Sequence, residues 1–294
     1  MLLTDYLAQY TALRAACLAA RTIESEKRML RLYIAPAIGD TPVSRVTVIQ
    51  VAELLNGISA AGHTRTACAV HTFLRSAGRK NGHLRAVMAQ IERPKHQSKP
   101  INYLTADEAA RLITHADPAW RPVWLLALTL GLRRGELAGL RWQDIDDAAG
   151  VIHIRNQRQR IGDKIVDSTP KSASGTRDLP LLPIIEDALQ PLYMLHQCRP
   201  GSVYVFGGHD GGGLSPSSIN GALRCDLCAL GIRSVTVHGL RHTMAALSVT
   251  HQQSVRVLQA VLGHADVSTT SRIYAHVDMQ PMTALCATVA QTIA

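Results

Sequence analysis

The chain of 294 residues is long enough for two domains of ordinary size, each able to bury its own hydrophobic core. A composition of 47% apolar and 18% charged residues excludes a disordered, collagen-like or disulfide-rich protein, and no apolar run reaches the roughly 18 residues of a membrane helix. The net charge of +9 lies almost wholly in residues 1–100, with 14 Lys and Arg against 6 Asp and Glu; residues 101–294 hold 17 against 16. These features predict a globular protein of the cytoplasm with a basic N-terminal third.

The basic module begins with helical periodicity over residues 22–92, which predicts an all-helical domain. Breaks at residues 36–39 and around 57–62 divide it into four or five short helices. A dense basic surface most often binds nucleic acid, because each neutralised phosphate releases a counterion, although a basic surface that only aids solubility is the alternative. The candidate contacts to DNA are Arg65, Arg75, Arg79, Lys80, Lys95 and Lys99.

Residues 93–103 indicate a linker, because they hold two prolines, three cations and almost no apolar side chains. Directly afterwards Thr105 and Glu108 have the spacing of a capping box, which predicts the start of a helix that ends near His115. We therefore predict a first domain at 1–95, a linker at 96–103 and a second domain at 104–294.

The second domain is predicted to be mostly helical with one small antiparallel sheet. Helices are expected at Val123–Leu130 and from about Arg134 to Trp142. Strand character follows in three short runs, and helical periodicity returns from Ile184 onward. The predicted strands are Val151–Arg155, Lys164–Val166 and Arg177–Leu181.

Six cysteines are scattered along the chain, and only Cys225 and Cys228 lie close together. No second pair completes a four-ligand zinc site, and a lone pair of this kind in a helix-like stretch is more often two buried thiols. The sequence predicts no metal and no other cofactor.

Five short motifs of the second domain occur in an ordered set: GLRRGELAGLRWQDID (131–146), TPKSASGTRDLPL (169–181), HGLRH (238–242), LGHADVSTT (262–270) and IYAHV (273–277). In order and approximate distance they resemble the motifs of the tyrosine recombinases, the phage integrase family. The resemblance covers the whole second domain, and the helical basic module resembles the family's SAM-like core-binding domain. It implies a mainly α protein whose second domain is the mixed α+β catalytic domain of DNA breaking and rejoining enzymes.

The resemblance places the first catalytic arginine at Arg133 rather than at Arg134, and the HxxR pair at His238 and Arg241. Guanidinium groups bind two phosphate oxygens at once and stay protonated, so they suit the charge that a phosphate gains during attack. His238 is expected to bond the phosphate and help move the nucleophile's proton. The alternative for Arg133 is an ordinary surface ion pair with Glu136. His242, about 100° around the helix from Arg241, is interpreted as structural.

Two further roles follow from the resemblance. Lys171 corresponds to the lysine that a mobile hairpin delivers to the leaving group, where a general acid protonates the departing 5′-hydroxyl; Lys164 is the competing candidate. His264 corresponds to the residue that holds a non-bridging oxygen. Its alternative is a position near a helix end, packed against the core.

Tyr274 corresponds to the nucleophile, whose phenol needs cationic neighbours and a proton acceptor because its free pKa is about 10. It follows His264 by ten residues, one more than in many members of the family. After it, Leu285, Val289 and Ile293 form one apolar stripe of a terminal helix. This helix is predicted to contact a neighbouring protomer, and packing on its own domain is the alternative.

The function implied is site-specific recombination, for integration, excision or inversion of a DNA segment, through a 3′-phosphotyrosyl intermediate. Its partners would be duplex recombination sites held between the two domains and a homotetramer over two sites, with a dimer on each. Accessory DNA-bending or directionality proteins are further candidate partners, although a chain that begins almost at the core-binding domain favours few of them. Two alternatives are a type IB topoisomerase, which relaxes DNA without paired sites, and a catalytically silent DNA-binding regulator.

Overall fold

The structure is a computed structural model that describes residues 1–96, 102–170, 175–198, 201–207, 212–251, 253–263 and 279–294. Two compact units divide the chain, Met1–Lys99 and Pro100–Ala294, and the division falls within the proline-rich stretch 93–103. Some residues singled out from the sequence lie outside the described residues: Lys99, Lys171, His264 and Tyr274.

The described part of the first unit is helical, with helices α1 (Leu3–Leu13), α2 (Ala20–Met29), α3 (Ala35–Ile38), α4 (Val48–Ala60), α5 (Thr64–Gly78) and α6 (Gly82–Ala89). Helix α4 starts at a capping box in which Thr47 and Gln50 bond each other's backbone N–H groups, and the Asn81 side chain caps α6. The break expected around residues 57–62 comes only after Ala60, at Gly62, whose φ of +81° favours glycine.

The break expected at residues 36–39 falls at the end of that range, because the helix continues through Pro36 and ends at Ile38. A single π-helical turn over Leu30–Ile34 joins α2 to α3, and the Ala35 N–H donates to the Leu30 carbonyl. Pro36 then falls in the first turn of α3, where a missing N–H costs little. The chain turns at Gly39, as the predicted range allows.

Helix α1 precedes the predicted helical region and completes its core. Leu3 and Leu7 are fully buried, and the Tyr6 hydroxyl donates a hydrogen bond of 2.8 Å to the Ala77 carbonyl of α5. Burying two large apolar side chains gives α1 several kcal/mol of favourable transfer free energy, on the order of 1.5–3 kcal/mol each.

The second unit has the helices α7 (Ala106–His115), α8 (Arg121–Thr129), α9 (Arg134–Gly139), α10 (Pro183–Cys198), α11 (Pro216–Ala229), α12 (Val237–Thr250), α13 (Val255–Leu262) and α14 (Met279–Ile293). The predicted capping box is confirmed, since Thr105 and Glu108 bond each other's backbone N–H groups. Helix α8 is the centre of the core: every residue from Pro122 to Thr129 is buried, and α7, α10, α12 and α14 pack around it.

The strands are β1 (Ile145–Asp146), β2 (Val151–Ile154), β3 (Gln157–Ile161), β4 (Lys164–Ser168) and β5 (Arg177–Pro180). They form two antiparallel sheets, one in the order β1-β2-β5 and one a hairpin of β3 and β4. The prediction of a single sheet is therefore wrong, and it lacks β3, whose sequence QRQRI carries no apolar alternation. The mainly helical fold with small antiparallel sheets is confirmed.

The apolar stripe of α14 is buried within its own unit. Leu285, Val289 and Ile293 are fully buried, and α14 packs against α7, α8, α12, α13 and β5. The structure thus has the helix on its own domain, which was the alternative to contact with a neighbour. Across the described ranges, no helix combines the length and apolarity needed to cross a bilayer.

Candidate active site

Arg133 is positioned by a glycine turn between α8 and α9. Gly131 has a φ of +62°, and a Cβ there would lie 2.5 Å from the Leu262 side chain. The turn aims the Gly131 carbonyl at Arg241, whose Nη1 donates to it over 2.6 Å. Arg133 then stands at the N-cap position of α9. The motif GLR thus fixes the backbone that joins both predicted catalytic arginines.

Glu136 lies beneath Arg133 and is only 2% exposed. Its Oε1 accepts from Arg133 Nη1 at 2.7 Å, and its Oε2 accepts from the Arg133 backbone N–H at 2.9 Å. The interpretation of Arg133 and Glu136 as an ordinary surface pair is therefore wrong. A carboxylate this deeply buried needs cationic partners, and a single arginine does not supply all of them.

Arg177 is the second partner of Glu136, and it is not among the site residues predicted from the sequence. Its Nη1 and Nη2 reach the two carboxylate oxygens at 3.1 and 2.9 Å, and its side chain is 7% exposed. Burial by itself would raise the pKa of Glu136, but Arg177 and then Arg133 lower this pKa to about 2. Strand alternation offered a signal, because Arg177 shares a face of β5 with the fully buried Leu179.

Three arginines converge on the C-terminal end of α13. Arg177 Nε donates to the Val261 carbonyl at 2.7 Å, Arg241 Nη2 to the Leu262 carbonyl, and Arg133 Nη2 to the Gly263 carbonyl at 2.7 Å. The three acceptors are the backbone carbonyls of successive residues, Val261, Leu262 and Gly263. The last carbonyls of a helix lack intrahelical partners and carry partial negative charge, so this end attracts cations. Gly263, with a φ of +60°, terminates the helix there.

Arg241 is 1% exposed, an unusual burial for a guanidinium. Desolvation, followed by the nearby charges of Arg133 and Arg177, lowers the pKa of Arg241 to about 9, against the opposing effect of Glu136. Its Nε is buried and has no hydrogen-bond partner within the described part of the chain. Three guanidinium groups around one carboxylate leave an excess of positive charge, which favours an anion such as a phosphate.

His238 and Arg241 are both on α12, whose first turn is capped by the Thr236 side chain. His238 contacts His242, one turn later, with ring centroids 4.5 Å apart and the rings edge to face. Desolvation, and then the charges of His242, Arg241 and Arg133, lower the pKa of His238, so the ring is neutral at pH 7. A neutral imidazole can accept a proton, as the predicted role requires. The residue interpreted as structural, His242, thus directly adjoins the site.

The other predicted residues fall in three groups. Lys164, the competing candidate for Lys171, is an exposed residue at the turn of the β3–β4 hairpin, where it pairs with Ile161. The described cations predicted to bind DNA are all exposed: Arg65, Arg75, Arg79, Lys80 and Lys95. Cys225 and Cys228 are free, exposed thiols of α11 rather than the buried ones expected, and the described residues contain no group of ligands that could hold a metal ion.

The fold and this cluster together define a mainly helical domain in which three arginines gather around the buried Glu136 and the end of α13. A family model described as the phage integrase family matches residues 102–281. The chain therefore belongs to the phage integrase family, the tyrosine recombinases, and the resemblance carried by the five motifs is confirmed.

Curated relatives and solved structures agree with this family. The chain is 28% identical over 278 residues to tyrosine recombinase XerC of Xanthomonas campestris pv. campestris (strain B100), covering 89% of this chain and 80% of that protein. It is 30% identical over 242 residues to tyrosine recombinase XerC of Azotobacter vinelandii, covering 79% and 74%.

Two solved structures have the same fold. The Tn1549 transposon integrase in complex with transposon right end DNA is similar with a TM-score of 0.77 and 18% identity, over 97% of this chain and 98% of that one. A lambda integrase dimer bound to a COC′ core site is similar with a TM-score of 0.69 and 22% identity, over 90% and 96%.

Proposed function

We propose that this chain cleaves and rejoins DNA at specific sites through a 3′-phosphotyrosyl intermediate, with Tyr274 as the nucleophile. Membership of the tyrosine recombinases makes it a site-specific DNA recombinase. The observation that carries the mechanism is the convergence of Arg133 and Arg241 on the end of α13, beside the neutral His238. This arrangement suits a phosphate whose oxygens gain charge during attack.

In the proposed reaction the Tyr274 oxygen attacks the scissile phosphorus while His238 helps remove the phenolic proton. Arg133 and Arg241 bind the non-bridging oxygens, and His264 adds a neutral donor to one of them. The bond from phosphorus to the 5′-oxygen breaks as Lys171 protonates that oxygen. The phosphotyrosyl bond keeps the energy of the broken linkage, so a 5′-hydroxyl from a partner strand can reverse the attack and join new ends.

The proposed partners are duplex recombination sites, a dimer on each site and a tetramer across two. Lambda integrase structures, one a dimer bound to a core site and one a tetramer bound to a Holliday junction, support this assembly by analogy. The exposed cations of the first unit would bind the DNA backbone, with Lys99 beside them in sequence. Accessory DNA-bending or directionality proteins and a cytoplasmic location stay predictions.

The nucleophile is tested on the chain's own target, obtained by sequencing the duplexes that the full chain retains from a random pool. A nicked version of that site traps the covalent intermediate, because the short leaving strand diffuses away. Wild type and Tyr103→Phe, which changes an exposed tyrosine of the same unit, should form adducts that resist denaturing detergent. Tyr274→Phe should form none. An adduct in Tyr274→Phe would assign the nucleophile to another residue.

The general acid is tested with a 5′-bridging phosphorothiolate, whose sulfur leaves without a proton. Lys171→Ala should slow cleavage of the ordinary phosphate by about 10²- to 10⁴-fold and be largely restored on the phosphorothiolate. Lys164→Ala, in the exposed hairpin turn, should behave as wild type on both. If Lys164→Ala were instead the variant that is slow on the ordinary phosphate and restored on the phosphorothiolate, Lys164 would be the general acid. Relaxation of a plasmid without paired sites would favour a topoisomerase.

A further inference from the structure

Glu136 is shared between two arginines with different surroundings. Arg133 reaches it with one nitrogen of its side chain and remains 35% exposed, whereas Arg177 binds both carboxylate oxygens and is 7% exposed. Bidentate pairs of arginine and carboxylate are the stronger and more directional kind. Arg177 is therefore the main counter-ion of Glu136, which leaves part of the Arg133 guanidinium open.

Arg177 also contacts the backbone that orients the other two arginines. Its Nε bonds the Val261 carbonyl, next to the Leu262 and Gly263 carbonyls that bind Arg241 and Arg133. Its Nη1 additionally donates to the carbonyl of Gly175, which lies just before β5. One guanidinium thus ties together β5, α9 through Glu136, and the end of α13.

We propose that Arg177 is a positioning residue of the phosphate site, which keeps Arg133 available to the phosphate by serving as the counter-ion of Glu136 and by anchoring the end of α13. A buried carboxylate cannot stay charged without a partner. Without Arg177, Arg133 is the one cation left among the residues that bond Glu136. Arg133 would then turn both of its terminal guanidinium nitrogens to the carboxylate. The phosphate then loses one of its two clamps, although Arg133 itself is unchanged.

This inference rests on the proposed function, and it is tested with the full chain on the same nicked target. Arg177→Met removes the charge and both hydrogen-bonding arms. Arg177→Lys keeps the charge but cannot bond Glu136 and Val261 together. Arg233→Met is the matched control, because it removes an arginine that pairs with Glu108 on the surface of the same unit. Each variant is first shown to be folded by circular dichroism and thermal unfolding.

The measured quantities are the single-turnover cleavage rate at saturating DNA and the Kd for the intact site. We expect Arg177→Met to slow cleavage by about 10²-fold, the loss typical of a misplaced reacting group, with a Kd within about threefold of wild type. The cleavage rate of Arg177→Lys should lie between those of wild type and Arg177→Met, and the rate of Arg233→Met should match wild type. A rate of Arg177→Met within about threefold of wild type would overturn the proposal.

Two comparisons separate positioning from general damage to the fold. A scissile methylphosphonate carries no charged non-bridging oxygen and depends less on Arg133, so Arg177→Met should slow its cleavage by under about tenfold. A merely structural defect would slow both substrates equally. Neutralising Glu136, which has lost its main counter-ion in Arg177→Met, should free Arg133 for the phosphate again. The double variant Arg177→Met/Glu136→Gln should therefore cleave at least about ten times faster than Arg177→Met. Absence of both effects overturns the proposal, even if Arg177→Met folds poorly.

The two levels of inference fail in different ways. If wild type forms no adduct on any DNA that it retains, the proposed function is wrong and the role of Arg177 falls with it. If wild type forms the adduct and Arg177→Met forms it as fast, only the positioning role is wrong.

Discussion

Glu136 is a buried carboxylate that stays charged because Arg177 and Arg133 flank it, and its pKa is lowered to about 2. In the unfolded chain a glutamate has a pKa of about 4.3. A carboxylate whose folded pKa is lower stabilises the fold above its unfolded pKa, and this contribution is lost as the pH falls toward the folded pKa. The buried cluster should therefore weaken in acid.

We expect Glu136→Gln to remove this pH dependence. The difference in free energy of unfolding between wild type and Glu136→Gln should shrink by roughly 2 kcal/mol between pH 5 and pH 2.5, at about 1.36 kcal/mol for each pKa unit. Urea unfolding at several pH values measures it. The control is Glu53→Gln, on the exposed face of α4. An equal change in that control, or a constant difference for Glu136→Gln, would contradict the prediction.

We expect the protonation of His238 to determine the acidic limb of the pH profile of the cleavage rate. Desolvation and the charges of His242, Arg241 and Arg133 lower its pKa from 6.5, so a role as proton acceptor persists below that pH. The cleavage rate of wild type should then fall only below pH 6.5. His242→Gln removes one of the neighbouring charges, so the limb should move to higher pH. Rate profiles on the nicked target test this, with His153→Gln in the sheet as control; an unmoved limb would argue against proton acceptance by His238.

At the scale of elements, helix α9 lies on strand β3 through two glycines one turn apart. A Cβ on Gly135 would lie 2.8 Å from the Arg158 carbonyl oxygen, and one on Gly139 would lie 2.9 Å from Gln157 Cα. Both obstacles are backbone atoms, which cannot rotate away as a flexible side chain can. The spacing GELAG therefore allows the hairpin of β3 and β4 to approach the arginine cluster.

Replacing Gly139 by Ala should push β3 away from α9. We expect a loss of about 1–3 kcal/mol in the free energy of unfolding, the usual cost of overpacking. Cleavage should slow as well, because β4 ends only three residues before Lys171, and the phosphorothiolate substrate should restore it. Gly221→Ala is the control: nothing lies within 4 Å of its Cβ, so the better helix former should stabilise by about 0.5–1 kcal/mol. Equal behaviour of the two variants would refute the close contact.

The elements differ in how far the sequence could predict them. The start of α7 was predictable because its capping box is local, with Thr105 and Glu108 three residues apart. Strand β3 was not, since its polar residues are covered by α9 rather than by an apolar face of their own. Likewise, the motifs identified Arg133 and Arg241. The contacts of Arg177 could not be predicted, because its partners Glu136 and Val261 of α13 lie 41 and 84 residues away in sequence. Strand alternation indicates that Arg177 points inward with Leu179, but no periodic pattern identifies partners at such separations.

Helix α14 packs on its own unit in the structure, and a substitution on its buried face distinguishes this from packing on a neighbouring protomer. Leu285 is fully buried against its own domain, so Leu285→Ala should cost about 2–5 kcal/mol through the cavity that it leaves. This loss should not depend on protein concentration. Val249→Ala, at an exposed position of α12, should stay within about 0.5 kcal/mol. A midpoint of unfolding that rises with concentration, lost in Leu285→Ala, would show that the helix docks on a partner.

At the scale of the whole molecule, charge and chemistry are divided between the two units. The first 100 residues carry nearly all of the net charge, whereas the buried arginines of the proposed site belong to the second unit. A surface that neutralises phosphates binds any DNA sequence, whereas cleavage at one position is proposed to depend on the arginine cluster. Affinity and catalysis should therefore respond to different substitutions.

The salt dependence of DNA binding tests this division. Arg65 is exposed on α5 and Arg79 is exposed at the C-cap of the same helix; at 100° per residue, the two positions lie within about 40° of each other around the helix axis. If each contacts a phosphate, Arg65→Gln/Arg79→Gln should reduce the slope of log K against log salt by about 1.8, since each contact contributes about 0.9. Binding should weaken equally on target and unrelated duplexes, while the cleavage rate at saturating DNA stays unchanged. Arg233→Gln in the second unit is the control. A slope unchanged by the double variant would remove α5 from the DNA-binding surface.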